Sequence, residues 1–593
     1  MKKLLLILGF FSALFAASAQ ERTITLTSAG TLGSFIGDDE KYNVTSLKLS
    51  GPINGTDIKL LRDMIGVTGI RDFTDGKLTS LDLSDARIVK GGDAYTLGYS
   101  RENIYVDADD EIGRFMFQMC SRLKELKLPT NIKAIGELAF ASCEALSALE
   151  IPQGVTKIGR GAFVMAGMKE LVFPESVVEI EDGLFQRMIN LERIDLGDGL
   201  TEIPNSTFMY SSVKKIRLGK KLTEFDPVVI YTQNTITDFE CSEENPKFKC
   251  VDGVLFSKDN KTICYYPPAR DNDVYTIPEG TTEVGDHAFH NAKMLFEVQF
   301  PSSIERIGNE AFNACTSLET PNLPKGVKHI GFMSFAECEN MAEFYIPAAT
   351  EYVDGGAFYN ATGLENFIID PENVNFTTRG GALYSKDMKR LVCYPSGIAA
   401  GYFSVPVGVE EIAGWAFSGH LSLTEVNVPS TVKTIGEYTF FACPSLKKLV
   451  LGENVDKMGE GMIYVSDAMT DVYMLSKELP SDMDPTALLN DGLAANGTLW
   501  VPNGTKNMYE NSDCYVMHYV VYDEETGEIT HEEDIPLFSQ IREFNTTGID
   551  TPKTAETKEH KPLRYDLSGR KVSGTSSRQN VIEIVDGKKV LKL

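Results

Sequence analysis

The sequence predicts an α/β solenoid dominated by β-structure, because one segment recurs along most of its 593 residues. The segment reads Ile-Gly-x-x-Ala-Phe-x-x-Cys-x-x-Leu and is clearest from Ile135 to Leu146. Related versions follow, mostly at steps of 22 or 23 residues. A fixed period of this length is typical of solenoids, in which each unit buries its apolar face against the next.

Thirteen units align on one apolar anchor position, which is Phe in eleven of them. An apolar residue also lies five residues before every anchor. Each unit has a Leu-x-x-Leu-x-Leu stretch, as in Leu123–Leu128, whose alternation suits a half-buried strand. These features predict a leucine-rich-repeat horseshoe with a parallel sheet on its concave side. The anchors are Phe117, Phe140, Phe163, Phe185, Phe208, Ile230, Phe289, Phe312, Phe335, Phe358, Phe417, Phe440 and Ile463.

Two steps between anchors are longer than the rest. Ile230 to Phe289 and Phe358 to Phe417 each span 59 residues, a surplus of 36 over the usual 23. Both stretches contain a Ser-Lys-Asp turn between apolar segments, and both end in Tyr-Pro. This pattern predicts two β-hairpin inserts, at about residues 240–276 and 368–404.

The ends of a solenoid need caps, because a terminal unit leaves one apolar face uncovered. We expect an N-terminal cap over 20–104, the repeat solenoid over 105–475 and a C-terminal cap over 476–522. Residues 1–19 have the pattern of a secretory signal peptide. An acidic linker is predicted for 523–560 and a small β-segment for 561–593.

The net charge of −27 argues against nucleic acid and anionic membranes as partners. No apolar run after the signal peptide is long enough to insert into a membrane, and no Cys lies near the expected cleavage site. The expected location is therefore extracellular, either secreted or at the cell surface. The C-terminal segment, with Tyr565-Asp-Leu-Ser-Gly-Arg-Lys-Val572 and Gly587-Lys-Lys-Val590, resembles the sorting segments of proteins exported to the surface of Bacteroidota.

The reactive residues do not form a recognisable catalytic motif. Five Cys residues lie three positions after an anchor, where we expect small buried thiols, with a disulfide between stacked neighbours as the alternative. A pair among Cys241, Cys250 and Cys264 is also possible. His420 is expected to point inward, whereas His287 and His290 are expected on a solvated surface. The prediction is a protein that is not an enzyme and has neither a cofactor nor a metal site.

The outward rows of the predicted concave strands are the candidate binding surface. Basic residues interrupt an otherwise acidic row in its N-terminal half, and apolar or aromatic residues follow in the C-terminal half. Exposed aromatic residues in such rows are candidate anchors for a partner. The candidate residues are Arg193, Lys215, Arg217, Tyr345, Ile368, Val450 and Tyr473.

The repeat unit Ile-Pro-x-x-Val-x-x-Ile-Gly-x-x-Ala-Phe-x-x-Cys-x-x-Leu-x-x-Leu resembles the BspA-like leucine-rich-repeat proteins of Bacteroidota, over about residues 105–475. The resemblance implies export and binding, as in adhesins that recognise an extracellular protein or glycoprotein of the host matrix or of another cell. The alternative is a glycan-binding accessory protein of a nutrient-uptake system.

Overall fold

The computed structural model describes residues 20–69, 72–225, 230, 234–522, 529–545, 564–565, 581–585 and 588–592. The chain divides into two compact units, Met1–Asn260 with Pro267–Arg270, and Lys261–Tyr266 with Asp271–Leu593. Each unit is built mainly of β-strands stacked as solenoid turns, with few helices. The predicted signal peptide at 1–19 lies outside the described residues.

Most repeats contribute a longer strand from the Leu-x-x-Leu-x-Leu stretch. Its central residue is buried and the flanking residues point outward, as in Glu125–Lys127, so alternation in the sequence becomes an inner and an outer face. Successive longer strands pair in parallel. In the first unit they are Glu125–Lys127, Glu170–Val172, Arg193–Asp195, Lys215–Leu218 and Asp238–Cys241. In the second they are Val274–Thr276, Glu297–Gln299, Glu343–Ile346, Asn366–Ile369, Tyr402–Ser404, Glu425–Asn427, Lys448–Leu451, Asp471–Met474, Thr498–Pro502 and Gln540–Phe544.

The longer strands form several sheets rather than the single sheet that was predicted. One interruption has a clear cause. The stretch between Glu319 and Leu323 is not a strand, and Pro321 at its centre has no N–H to donate to a ladder. The sheet of Val274–Thr276 and Glu297–Gln299 therefore ends there, and a new one begins at Glu343–Ile346.

A second set of two-residue strands comes from the position just before the Ile-Gly glycine. Their second residue is Ile, Val or Met, is buried in all but Met483, and pairs in register with the next repeat, as Ile135 does with Ile158. In the first unit these strands are Glu111–Ile112, Ala134–Ile135, Lys157–Ile158 and Glu179–Ile180. In the second unit they are Glu283–Val284, Arg306–Ile307, His329–Ile330, Tyr352–Val353, Glu411–Ile412, Thr434–Ile435, Lys457–Met458 and Asp482–Met483.

The anchor residues form a continuous inner layer within each unit. The Phe117 and Phe140 rings are 5.8 Å apart and nearly parallel, and Phe140 stands 5.7 Å from Phe163. In the second unit Phe289 stacks on Phe312 at 4.7 Å. All of these rings are fully buried, so they contribute a large part of the hydrophobic stabilisation.

The glycine of each Ile-Gly step is required by a close approach of the neighbouring repeat. A Cβ atom on Gly159 would lie 2.6 Å from the backbone nitrogen of Glu137, and one on Gly136 would lie 2.6 Å from that of Arg114. The backbone angles of these two glycines are not left-handed, so the requirement is space alone. This explains why the Gly recurs with the period of the repeat.

The N-terminal region extends the longer-strand sheet of the first unit. Strands Gln20–Thr25, Val44–Ile53 and Ser80–Asp82 lead in parallel to Glu125–Lys127. Helix Gly55–Ile65 is capped reciprocally by Asn54 and Asp57, and its buried Arg62 donates hydrogen bonds to the carbonyls of Phe115, Met116 and Gln118. The region also contains the 3₁₀ turn Leu32–Ser34 and strands Val67–Gly69, Asp72–Phe73, Ala86–Ile88, Gly91–Leu97 and Asn103–Val106.

Both stretches predicted as inserts contain an antiparallel strand pair. Phe248–Val251 pairs with Val254–Ser257, and Phe376–Arg379 pairs with Ala382–Ser385. The strands that follow, Thr262–Tyr265 and Arg390–Cys393, run parallel to the next short strands, Glu283–Val284 and Glu411–Ile412.

The Tyr of each Tyr-Pro pair takes the place of an anchor. The Tyr394 ring lies 5.3 Å from Phe417, and the Tyr394 N–H donates to the carbonyl of Ala416, as anchors do in ordinary repeats. Tyr266 does the same with Phe289, at 5.0 Å. Each 36-residue surplus therefore contains a further repeat position as well as the strand pair.

The C-terminal region of the second unit differs from the predicted cap and linker. Within the predicted linker 523–560, strand Ile529–Pro536 pairs with Val516–Tyr522, and Gln540–Phe544 extends the longer-strand sheet beside Thr498–Pro502. The buried side chains of Leu537, Phe538 and Ile541 explain why this stretch folds despite its acidic residues. Residues 523–528 and 546–560 lie outside the described part. Helices Asp491–Asn496 and Lys506–Glu510 complete the region, and Arg564–Tyr565, Val581–Val585 and Lys588–Lys592 form an antiparallel sheet.

The Cys and His positions are mostly as predicted. Cys120, Cys143, Cys315, Cys338 and Cys443 are free and buried, which confirms small inward thiols rather than disulfides between neighbours. Cys241 and Cys250 form a disulfide. His420 points inward as expected and accepts a hydrogen bond at Nδ1 from the Leu423 N–H. The prediction of a solvated His290 is wrong, because this residue is only 4% exposed.

Candidate binding surface

The basic candidates lie on the outward row of adjacent strands, but ion pairs neutralise them. Arg193 lies 2.9 Å from the carboxylate of Glu240, and Lys215 lies 3.6 Å from that of Asp238. The hydrogen bond that the Arg193 guanidinium donates to Glu240 raises the pKa of Arg193 above its usual range. The partners come from other strands of the same sheet, so the predicted basic cluster is a mixed-charge surface rather than a positive patch.

Arg217 is the most strongly held of the three. Its Nη1 donates to Asp195 at 2.9 Å and its Nη2 donates to Asp198 at 3.2 Å. Although burial favours the neutral guanidinium, the two carboxylates raise the pKa of Arg217 above its usual range. A ligand would have to displace these carboxylates, so Arg217 mainly joins adjacent repeats.

Tyr345 and Ile368 occupy neighbouring positions on paired strands of the second unit. The Tyr345 hydroxyl donates to the buried Asp370 carboxylate, and Lys325 lies 3.6 Å from the same carboxylate. Burial and this hydrogen bond raise the pKa of Tyr345 to about 12. Ile368 is 36% exposed, so the pair presents one fixed ring and one accessible aliphatic side chain.

Val450 does not provide the accessible surface that was predicted for it. It lies on the outward row between Asn427 and Tyr473, but it is only 3% exposed. A short side chain such as Val on a sheet is readily covered by the side chains around it, because adjacent strands are only about 4.8 Å apart. Alternation therefore gave the correct face of the strand but the wrong exposure.

Tyr473 belongs to an ordered stack that crosses four adjacent strands. Its ring lies 5.3 Å from Trp500, and the two planes differ by 3°. The Lys448 ammonium lies 5.2 Å from the Tyr473 ring centre, and the Arg542 guanidinium lies 5.8 Å from the Trp500 ring. The stack therefore consists of two aromatic rings with a cation at each end. This order is favourable because the face of an aromatic ring attracts positive charge.

Further contacts hold this stack in place. The Trp500 Nε1–H donates to Asp471 at 2.7 Å, and Phe544 packs 5.8 Å from Tyr473. Lys448 also pairs with Glu425 at 3.0 Å. We call Lys448, Tyr473, Trp500, Arg542 and Phe544 the strand-face cluster. Contacts within the protein thus hold the ring edges and the exposed Arg542 in place without a ligand.

Trp500, Arg542 and Phe544 were not among the candidates predicted from the sequence. Trp500 was placed in the C-terminal cap, and Arg542 and Phe544 in the linker. Strand pairing brings them to the outward face: Trp500 lies opposite Tyr473, and Arg542 lies opposite Trp500. The alternation in Thr498-Leu-Trp-Val-Pro502 was the available signal, because it places Trp500 on the side opposite Leu499 and Val501.

Other kinds of site receive no support from the part of the chain that the structure describes. Within that part, no three or more His, Cys, Asp or Glu side chains are grouped to hold a metal ion. None of the described helices is both long and apolar enough to cross a bilayer.

The family model for the BspA-type leucine-rich-repeat region matches in six copies, at residues 110–237, 271–380 and 396–480. These ranges include more than half of the chain. The chain belongs to the BspA-type leucine-rich-repeat family. This confirms the resemblance seen in the repeat unit. Membership of this family supports a repeat-based binding protein.

This chain is also similar to several solved structures over part of its length. A leucine-rich repeat protein from Eubacterium ventriosum is 22% identical, with a TM-score of 0.40, over 60% of this chain and 85% of that one. A leucine rich cell surface protein from Faecalibacterium prausnitzii is 20% identical, with a TM-score of 0.30, over 70% and 80%. A leucine-rich repeat protein from Bacteroides ovatus is 18% identical, with a TM-score of 0.28, over 62% and 90%. No curated protein matches this BspA-type chain.

Proposed function

We propose that this chain is a non-enzymatic, secreted or cell-surface binding protein of the adhesin type. It recognises an extracellular protein or glycoprotein through the outward rows of its longer strands, without a cofactor. The observation that carries the proposal is the strand-face cluster. Tyr, Trp and Arg are the residue types that dominate the energetics of protein interfaces, and here they lie side by side on one sheet.

The packing of the cluster supports this role. Binding normally costs free energy to immobilise side chains, and that cost falls when they are already held. Trp500 is fixed by Asp471, and Tyr473 is held between Lys448 and Trp500. Tyr345 and Ile368 extend the same kind of surface on other strands of the second unit.

The test is binding of the purified chain to arrays of host extracellular proteins and of glycans, followed by titration of any protein hit. The double change Tyr473→Ala with Arg542→Ala should raise the dissociation constant about tenfold or more, because each residue is a candidate hot spot. The matched control, Asn427→Ala with Ser404→Ala, alters two outward residues of the same sheet. Equal affinities for both double variants would contradict the proposed surface.

The alternative is a glycan-binding accessory protein for nutrient uptake. The arrangement that favours it is the carboxylate of Asp471 beside the Trp500 ring, which offers a hydrogen-bond acceptor next to an apolar edge. Such a protein would bind free glycans and would lose a glycoprotein partner after enzymatic deglycosylation. An adhesin that recognises polypeptide would keep that partner.

A further inference from the structure

A second aromatic cluster lies away from the longer strands, on the turns around the anchors of the second unit. Its centre is Trp415, whose ring lies 4.9 Å from Tyr438, 5.1 Å from Phe441 and 5.2 Å from Phe332. Tyr359 and Tyr464 extend it, at 5.8 and 6.1 Å from Phe441. We call these six residues the turn cluster. None of its members belongs to the surface proposed above.

The repeat geometry brings these rings together. Trp415 and Tyr438 occupy the same position of successive repeats, two residues before the anchors Phe417 and Phe440. Tyr359, Phe441 and Tyr464 each follow an anchor directly. In the next repeat the equivalent position is Gly461, two residues before the anchor Ile463. A Cβ atom on Gly461 would lie 2.5 Å from the Tyr438 ring. The glycine therefore leaves room for that ring.

The turn cluster borders an open cavity with an apolar rim. Leu421, Tyr464 and Val465 are 50%, 45% and 49% exposed, values that are costly for large apolar side chains without a partner. The cavity has a volume of about 320 Å³ and is lined by Tyr359, Asn360, Leu421, Val465 and Asp467, among others. Polar groups at such a rim fix the orientation of what binds there.

The turn segments that carry the turn cluster contain acidic residues but no basic Lys or Arg. These segments are residues 331–342, 353–363, 411–421, 434–446 and 458–471. They do contain carboxylates close to the rings: Glu437 precedes Tyr438, Glu460 accepts a hydrogen bond from the Tyr438 hydroxyl, and Asp467 lines the cavity. On the longer strands, by contrast, several carboxylates pair with Lys or Arg, as those of Asp195, Glu240 and Glu425 do.

We propose that the turn cluster is a second binding surface, which takes an arginine-bearing segment of a protein partner. A guanidinium group stacks on aromatic faces and is attracted by the ring electrons, while its N–H groups can donate to carboxylates. The turn cluster offers both kinds of contact in one place, and no cation of those turn segments competes for them. This site is independent of the strand-face cluster, so the chain can bind two partners or two parts of one partner.

The two tryptophans of the chain allow a direct test, because one lies in each cluster. In the full chain, Trp500→Phe leaves Trp415 as the only tryptophan, and Trp415→Phe leaves Trp500. The probe is a short peptide of alternating arginine and glycine, and the control probe carries neutral citrulline in place of arginine. We expect a saturable change in emission when Trp415 is the reporter, none when Trp500 is, and none with the citrulline peptide.

A pair of carboxylate variants separates the site from the general negative charge of the protein. Glu437→Gln with Asp467→Asn should weaken arginine-peptide binding about fivefold. Glu144→Gln with Glu150→Gln removes the same charge from exposed positions of the first unit and should leave binding unchanged. The proposal is overturned if Trp415 emission does not respond, if the citrulline peptide binds equally well, or if both carboxylate pairs weaken binding equally. The circular dichroism spectrum of each variant checks its fold.

Discussion

At the scale of single residues, two asparagines join the strand pairs to the repeats in the same way. The Nδ2 of Asn245 donates to the carbonyls of Gly219 and Leu222, and its Oδ1 accepts from the N–H groups of Lys247 and Phe248. Asn373 makes the corresponding four hydrogen bonds in the second unit. Both side chains are buried, so replacing either asparagine by a residue of different shape would leave several buried polar groups unpaired.

The Ile-Gly glycines provide a prediction on stability. Gly159→Ala should destabilise the first unit by about 1–3 kcal/mol, because the new methyl group would overlap the backbone of Gly136 and Glu137. Gly37→Ala is the matched control, since nothing lies within 4 Å of the added atom and the backbone there is not left-handed. Chemical denaturation of both variants measures the difference. Equal unfolding free energies would show that the close approach can relax.

The buried His420 predicts a pH dependence. Burial lowers its pKa from 6.5 to about 4. Between these values the unfolded chain binds a proton that the folded chain does not, so stability is complete above pH 6.5 and is lost as the pH falls toward 4. From pH 7 to 5.5 the loss from this one group should be about 1 kcal/mol. Unfolding measured across that range tests the prediction.

The matched variant is His420→Ser, because Ser211 and Ser466 fill the same position of other repeats. It should lower the overall stability but reduce the slope of stability against pH. Part of the pH dependence should remain in this variant, because burial also lowers the pKa of His290 to about 4. An unchanged slope in His420→Ser would mean that other groups cause the pH dependence.

The sequence was a good guide to which residues are buried and a poor guide to which outward residues are accessible. The anchors and the inward Cys residues follow from the period alone. Exposure on the outward rows depends on neighbours one repeat away, as the covering of Val450 shows. The same is true of charge, since Arg217 meets Asp195 and Asp198 only after strands pair in register.

At the scale of secondary-structure elements, each of the two 59-residue steps contains an extra repeat position that the sequence pattern did not identify. The antiparallel pairs have clear turn signals, whereas Tyr266 and Tyr394 do not match the Phe pattern and their repeats lack the Ile-Gly step. A Tyr ring fills the anchor position in both cases, with its face against the next Phe. A Tyr ring can therefore replace Phe at the anchor position, and a search for Phe alone overlooks it.

The disulfide of the first strand pair predicts a difference between the two pairs. Cys241–Cys250 closes a short loop, whereas the matching positions in the second unit are Ile369 and Thr378. Replacing Cys241 by Ile and Cys250 by Thr should therefore allow folding but lower stability by about 2–3 kcal/mol, from the entropy of loop closure. The measurement is thermal unfolding with and without reductant. A reductant effect that persists in the double variant would contradict this assignment.

The strand-face cluster shows why the site was only partly predicted. Tyr473 was identified because it lies within the regular repeats. Trp500 and Arg542 join the same sheet after irregular connections of different lengths, one of which contains helix Asp491–Asn496. No fixed spacing relates these strands, so their register follows only from the pairing of the backbone.

At the scale of the whole molecule, the position of the C-terminal cap predicts where the chain can be shortened. Among the residues whose side chains the structure describes, the last strand with buried core residues is Gln540–Phe544, which pairs with Thr498–Pro502. A chain that ends at Asn545 should keep the unfolding temperature of the full chain. One that ends at Asn496 loses both strands and should melt earlier and aggregate, because the edge strand Asp471–Met474 and its apolar surface become exposed.

Size-exclusion chromatography with light scattering, together with thermal unfolding, distinguishes the two shortened chains. The chain that ends at Asn545 serves as the control for truncation itself. If the chain ending at Asn496 stays monomeric and equally stable, strands Thr498–Pro502 and Gln540–Phe544 do not act as a cap.

The Tyr anchors also reveal a second, longer period in the sequence. Tyr266 and Tyr394 are 128 residues apart (394 − 266), and the same interval separates Phe289 from Phe417 and Asn245 from Asn373. A block that contains one strand pair and the repeats after it therefore occurs twice, with the second copy directly after the first. Recombination between the two copies would delete or add 128 residues at once. Every anchor would remain in register, so alleles that differ in length by a whole block would still encode a continuous core.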